Sequence, residues 1–154
     1  MKFQLYLPLL IIFFALNARS QTLPAARSLD KTDTWTRKDL IQPAELASIL
    51  NKPQAKKPIV LNIGVAEDIF TAKKIGAASN AGNLEKLKAT LEKLPASSFV
   101  VIYCGCCPFE KCPNIRPAFN LMKSMGFTNG RLLNLPVNLH QNWISPGYPM
   151  AAGK

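Results

Sequence analysis

Three short apolar segments constrain the fold of this chain more than any other feature. They are KKPIVLNIGV at 56–65, SFVVIYC at 98–104 and GRLLNL at 130–135. The first two hold continuous apolar runs, rich in β-branched residues, that are too short for helices. Such runs are typical of strands that are buried on both faces. We therefore expect three strands in a sheet that is covered on both sides.

Segments with a helical spacing of apolar residues precede and separate these strands. They are QPAELASILN at 42–51, NLEKLKATLEKL at 83–94 and NIRPAFNLMKSMGF at 114–127. Pro43 suits the first turn of the first helix, Asn83 is expected to cap the second, and Gly126 marks the end of the third. Strands that alternate with helices predict an α/β fold, in which a parallel sheet carries helices on both faces.

The first twenty residues differ in character from the rest of the chain. Lys2 precedes an apolar run from Leu5 to Leu16, and Ala18-Arg19-Ser20 places small residues where signal peptidase cleaves. The protein is then expected to be periplasmic or secreted, with no stable membrane insertion after cleavage. We expect a cleavable signal peptide at 1–20, a flexible segment at 21–34 and a single domain at 35–150.

The net charge of the chain bears on its partners. The chain has 19 basic and 9 acidic side chains, and removal of Lys2 and Arg19 with the signal peptide would leave 17 basic ones. The lysines are scattered without interleaved aromatic residues, which favours a solvated surface over nucleic-acid binding. The same positive field suits a small anionic substrate.

All four cysteines lie within the segment YCGCCPFEKC at 103–112. Cys104 ends the second predicted strand and precedes a predicted helix. In open α/β sheets, ligands bind beyond the carboxyl ends of the strands and near helix N-termini. The helix dipole and the loop N–H groups would favour the thiolate of Cys104 and make it nucleophilic.

Six motifs stand in an order that resembles the rhodanese-like sulfurtransferase family. They are PIVLNI, VVIYC, LMKSMGF, RLLNL, NWI and PGYP, and they cover residues 40–149. The resemblance implies that Cys104 is catalytic. It would take sulfane sulfur from a small anionic donor, such as thiosulfate or a persulfide, and pass it to a thiol acceptor. We assign substrate binding to the loop residues Gly105, Cys106 and Cys107 and to the nearby cations Lys111 and Arg116.

Some positions depart from the pattern of that family. Asn62 and Gly64 stand where the family has Asp and Arg, and Lys74-Ile75-Gly76-Ala77 is a remnant of its His-Ile-Pro-Gly-Ala element. The cysteine loop is also longer than the family's common form. No Arg stands six positions after any cysteine, so the Cys-x5-Arg phosphatases and arsenate reductases of related folds are not favoured.

The additional cysteines leave other classes of protein open. Their thiolates could bind Zn²⁺ or Cu(I), but the adjacent Cys106 and Cys107 fit two corners of one tetrahedron poorly. His140 could complete a ligand set, although a surface or packing role is the simpler interpretation. We therefore expect no metal cofactor. A non-enzymatic binding module and a thiol-disulfide redox protein are further alternatives, although the extended thioredoxin pattern with its cis-Pro is not visible in the sequence.

We assign a redox or modulating role around Cys104 to Cys106, Cys107 and Cys112. In the oxidised protein we expect Cys112 to form a disulfide with Cys106 or Cys107. Cys104 would then remain free, because its strand holds it in place. Trp143 and Tyr148 are expected to pack at the C-terminal edge of the domain rather than to contact substrate.

Overall fold

A five-stranded parallel sheet forms the centre of the protein in a computed structural model, which describes residues 34–152. Its strands are β1 (Leu40–Ile41), β2 (Ile59–Asn62), β3 (Lys73–Lys74), β4 (Val100–Tyr103) and β5 (Gly130–Leu133). They lie in the order β1-β5-β4-β2-β3, and each neighbouring pair is parallel. The three predicted strands are confirmed as the central ones. The edge strands β1 and β3 were not expected, because two residues carry no periodic pattern.

Helices cover both faces of this sheet, as the sequence predicts. They are α1 (Pro43–Asn51), α2 (Ala81–Leu91) and α3 (Ile115–Ser124). Leucines of α2 and aromatic and aliphatic residues of α3 share one core cluster with Leu61 and Ile102. Residues of α1 and of a π-helical turn at His140–Ile144 share a second cluster with Val60 and Val101. Neighbouring residues of β2 and β4 thus enter opposite clusters, which is why these strands contain so few polar residues.

The predicted cap of α2 is wrong by three residues. Asn80 is the N-cap, and its side-chain oxygen accepts the backbone N–H of Asn83 at 3.2 Å. The side chain of Asn83 instead donates to the carbonyl of Ala77 at 3.1 Å. The helix begins at Ala81-Gly82, where no helical spacing of apolar residues indicates its start. The predicted stop at Gly126 is confirmed, since this residue has a φ of 81° just beyond α3.

Two buried polar side chains fix the loop that follows β2. Asn62 donates to the Ala66 carbonyl and the Asp68 carboxylate, both at 2.8 Å, and accepts the N–H of Gly64 at 3.0 Å. The phenol of Tyr103, at the end of β4, donates to a loop carbonyl at 2.9 Å and accepts a loop N–H at 3.0 Å. Burial raises the pKa of Tyr103, so its hydroxyl stays a donor. The loop is therefore tied to the ends of both central strands.

The C-terminal segment closes the domain beside this loop. Trp143 is fully buried, its ring nitrogen donates to the Pro149 carbonyl at 3.1 Å, and its ring meets Tyr148 edge-on at 5.3 Å. The expected packing role of both aromatic residues is confirmed. No helix within residues 34–152 is long and apolar enough to cross a membrane. The predicted signal peptide lies outside the described residues and stays a prediction.

We predict that Asn62→Ala lowers the free energy of unfolding by about 1 to 3 kcal/mol, because it leaves several buried polar groups without partners. Asn134→Ala is the matched control, since that side chain makes one exposed hydrogen bond to Gln42 at 3.0 Å. The control should change the stability by less than about 0.5 kcal/mol. Urea unfolding of the two variants measures both values. Equal losses would show that the Asn62 network does not stabilise the loop.

Candidate active site

Cys104 lies at the carboxyl edge of the sheet, directly after the central strand β4. Its exposed fraction is 1%. Gly64 passes so close that a Cβ atom there would lie 2.5 Å from the Cys104 carbonyl oxygen and 2.6 Å from its Sγ. A side chain at this position would therefore displace the cysteine.

Gly105 turns the chain back over Cys104. It has a φ of 81°, which glycine adopts readily and other residues do not. A Cβ atom at Gly105 would also lie 2.9 Å from Leu139 and 3.0 Å from Ala66. The turn places the Sγ atoms of Cys104 and Cys106 3.2 Å apart. The backbone N–H of Cys106 helps to lower the pKa of the Cys104 thiol.

Asn114 is a site residue that sequence analysis missed. It is buried, its Nδ2 donates to the Sγ of Cys104 at 3.1 Å, and its Oδ1 accepts the backbone N–H of Ser79 at 2.9 Å. Asn114 precedes α3 at the N-cap position, but its side chain does not cap the helix. An asparagine at that position is ordinarily explained by capping. The only feature of the sequence that could have indicated Asn114 was therefore its closeness to the cysteines along the chain.

The structure brings the other cysteines to Cys104, all as free thiols. Cys112 is buried, and its sulfur lies within 4.8 Å of those of Cys104 and Cys106. The sulfur of Cys106 is exposed and lies 3.4 Å from that of Cys107. A disulfide between Cys112 and Cys106 or Cys107 after oxidation stays a prediction.

Hydrogen bonds make Cys104 acidic. The bond from the Cys112 thiol, aided by the one from Asn114, lowers the pKa of Cys104 to about 5 and outweighs the opposite effect of burial. Burial and the interaction with Cys104 raise the pKa of Cys106 to about 12. The bond to Cys104, together with burial, raises the pKa of Cys112 well above its ordinary value. At neutral pH the Cys104 thiolate therefore lies beside the protonated thiols of Cys106 and Cys112.

Three of these sulfurs could also bind a soft metal ion. The Sγ atoms of Cys104, Cys106 and Cys112 lie within 4.8 Å of one another. A structural Zn²⁺ site normally has four ligands, and within residues 34–152 this group offers three. His140 is not a member of it: the ring is exposed, and its Nδ1 lies 3.4 Å from the Ser145 hydroxyl.

The two cations near the loop differ in their contacts. The guanidinium of Arg116 donates to the Glu110 carbonyl at 2.8 Å and lies 5.0 Å from the centre of the Trp35 ring. These contacts tie the first turn of α3 to the 3-10 turn at Phe109–Lys111. Lys111 is exposed. Binding of an anionic substrate by either residue stays a prediction.

Comparison with known proteins supports the fold. No family model matches the chain, and no curated protein sequence matches it. The crystal structure of a single-domain sulfurtransferase of Saccharomyces cerevisiae is similar, with a TM-score of 0.50 and 17% sequence identity. The match covers 73% of this chain and 95% of the yeast chain. The likeness confirms a single α/β domain of rhodanese-like fold.

We predict that the ultraviolet absorbance of the Cys104 thiolate titrates with a midpoint near pH 5, measured as wild type minus Cys104→Ser. Asn114→Ala should raise this midpoint by about one pH unit, because a hydrogen bond to a charged group contributes about 1.5 kcal/mol. Asn120→Ala, on the exposed side of the same helix, is the control and should leave it unchanged. A wild-type midpoint above neutral pH would contradict the assignment of Cys104 as the thiolate.

Proposed function

We propose that the protein is a rhodanese-like sulfurtransferase or sulfur carrier that forms a persulfide on Cys104 and passes the sulfane sulfur to a thiol acceptor. The observation that carries this proposal is the hydrogen-bonded thiolate at the carboxyl edge of the sheet. The thiolate form of cysteine is the nucleophile in such chemistry. The similarity of the fold to that of a sulfurtransferase agrees with this activity.

Thiosulfate would load the protein in one displacement. The Cys104 thiolate attacks the outer sulfur of thiosulfate, the sulfur–sulfur bond of the donor breaks, and sulfite leaves with the electron pair. The product is a Cys104 persulfide anion, so charge and atoms balance without an added oxidant. In the second half, an acceptor attacks the outer sulfur and Cys104 leaves as a thiolate. A low pKa makes Cys104 a good leaving group in this second step.

The hydrogen-bond donors around the Cys104 sulfur can also stabilise the negative charge of the persulfide, which lies on a sulfur atom one bond farther out. A sulfur–sulfur bond is about 2.05 Å long, so the terminal sulfur of the persulfide stays close to the donors that hold the thiolate. Asn114 is itself fixed by the Ser79 N–H and can stay in place during the reaction. Such preorganised donors stabilise charge with little rearrangement. The exposed Lys111 and the positive net charge of the chain would attract an anionic donor.

Binding of a soft metal is the second candidate function. The approach of three sulfurs to within 4.8 Å favours it, and soft thiolate ligands select Cu(I) or Zn²⁺. Sulfur transfer needs one thiolate with protonated neighbours, whereas metal binding needs all three thiols deprotonated. The protonated state of Cys106 and Cys112 at neutral pH therefore favours sulfur transfer.

Intact mass spectrometry of the reduced protein after thiosulfate treatment tests the proposal. We predict a gain of one sulfur atom, which cyanide removes as thiocyanate. Cys104→Ser should abolish the gain and lower thiosulfate:cyanide transfer by roughly three orders of magnitude, because the nucleophile is lost. Cys112→Ser is the matched variant and should lose no more than roughly tenfold, because a hydroxyl can still donate to Cys104.

A different change in mass after thiosulfate treatment would indicate a different class of protein. A loss of two hydrogen atoms after thiosulfate would indicate a disulfide and a redox protein. A gain that matches a metal ion would indicate the metal site. Full activity of Cys104→Ser would contradict the assignment of the nucleophile.

A further inference from the structure

Buried residues surround Cys104 on most sides, and Cys106 lies on the side that faces solvent. Cys104 has an exposed fraction of 1%, and its neighbours Gly64, Cys112 and Asn114 are all buried. Cys106 is the exposed member of the cluster, and its Sγ lies 3.2 Å from that of Cys104. A large acceptor that approaches the site would therefore meet Cys106 before Cys104.

We propose that Cys106 is a second sulfur carrier, which takes the sulfane sulfur from Cys104 and delivers it to acceptor thiols too large to reach Cys104. This inference rests on the proposed function of Cys104. It assigns Cys106 a covalent role, beyond the modulating role expected from the sequence. The acceptor class that follows is a thiol on a protein or another bulky molecule.

The transfer between the two cysteines balances without an oxidant or a reductant. The Cys106 proton first passes to the outer sulfur of the Cys104 persulfide anion, which leaves Cys106 as a thiolate. The Cys106 thiolate then bonds to that outer sulfur, the bond between the outer sulfur and Cys104 breaks, and its electron pair stays on Cys104 as a thiolate. In the next step, an external thiol takes the sulfur and returns a proton to Cys106. The sulfane sulfur keeps its oxidation state throughout.

The backbone explains why Cys106 rather than another cysteine has this role. The turn at Gly105 directs both the N–H and the Sγ of Cys106 to the Cys104 sulfur. Cys112 also contacts Cys104, but it is fully buried and cannot meet a large acceptor. Cys107 is half-buried, and its sulfur lies 3.4 Å from that of Cys106. Among the described cysteines, Cys106 alone combines exposure with a direct sulfur contact to Cys104.

Two acceptors of different size test this role with the full chain. Cyanide is small enough to reach Cys104 directly, whereas a thiol-terminated polyethylene glycol must take the sulfur at the protein surface. We predict that Cys106→Ser lowers the ratio of polymer-thiol transfer to cyanide transfer by at least roughly tenfold. Asn120→Ala, on the exposed side of α3, is the control, and its ratio should equal that of the wild type. Rapid alkylation and fragment mass spectrometry of loaded wild type should find the extra sulfur on Cys106 as well as on Cys104.

The results of these experiments distinguish a failure of the role proposed for Cys106 from a failure of the proposed function. An unchanged ratio in Cys106→Ser would overturn the proposed sulfur transfer through Cys106. An equal loss of transfer to both acceptors would also overturn it, because Cys106 would then act only through its effect on Cys104. A ratio that falls equally in Asn120→Ala would also overturn it. If the wild type gains no sulfur from thiosulfate, the proposed function itself fails. A thermal melt of each variant shows whether it is folded before the ratios are compared.

Discussion

The convergence of hydrogen-bond donors on the Cys104 sulfur is the interaction on which the rest of the site depends. The Cys112 thiol, the Asn114 amide and the Cys106 N–H approach one buried sulfur. A buried thiolate without such donors would take up a proton, because burial disfavours the charged form. With them, the pKa of Cys104 is low enough for the thiolate at neutral pH, while Cys106 and Cys112 keep their protons. This asymmetry within one cluster suits the single nucleophile that the proposed sulfur transfer requires.

The fold supplies this convergence from segments that are distant in sequence. The glycine that follows β2 leaves space for the sulfur, and the glycine that follows Cys104 folds the loop over it. Asn114 connects the start of α3 to the Ser79 amide, so it is held from two sides. Asn62 and Tyr103 fix the adjoining loop through buried hydrogen bonds. A preorganised site of this kind needs little rearrangement when charge moves onto a transferred sulfur.

Much of the fold follows from the sequence, whereas the details of the site do not. The central strands and the three helices were predicted because apolar runs and helical spacing reflect burial directly. The edge strands and the Asn80 cap were missed, since they depend on pairing and on local hydrogen bonds rather than on periodicity. The position of Cys104 directly after a strand was predicted from the sequence and is confirmed. Asn114 could not be predicted, because its contact with Cys104 joins two residues across a loop whose path no pattern reveals.

The most direct test of sulfur transfer is a crystal structure of the reduced protein after treatment with thiosulfate. We predict electron density for one additional atom bonded to the Cys104 Sγ at about 2.05 Å, on the side of Cys106 and within reach of the Asn114 amide. An additional sulfur on Cys107 or Cys112, with none on Cys104 or Cys106, would contradict the central role of this thiolate. An unmodified Cys104 in a crystal whose other cysteines are reduced and unmodified would contradict sulfur transfer from thiosulfate altogether.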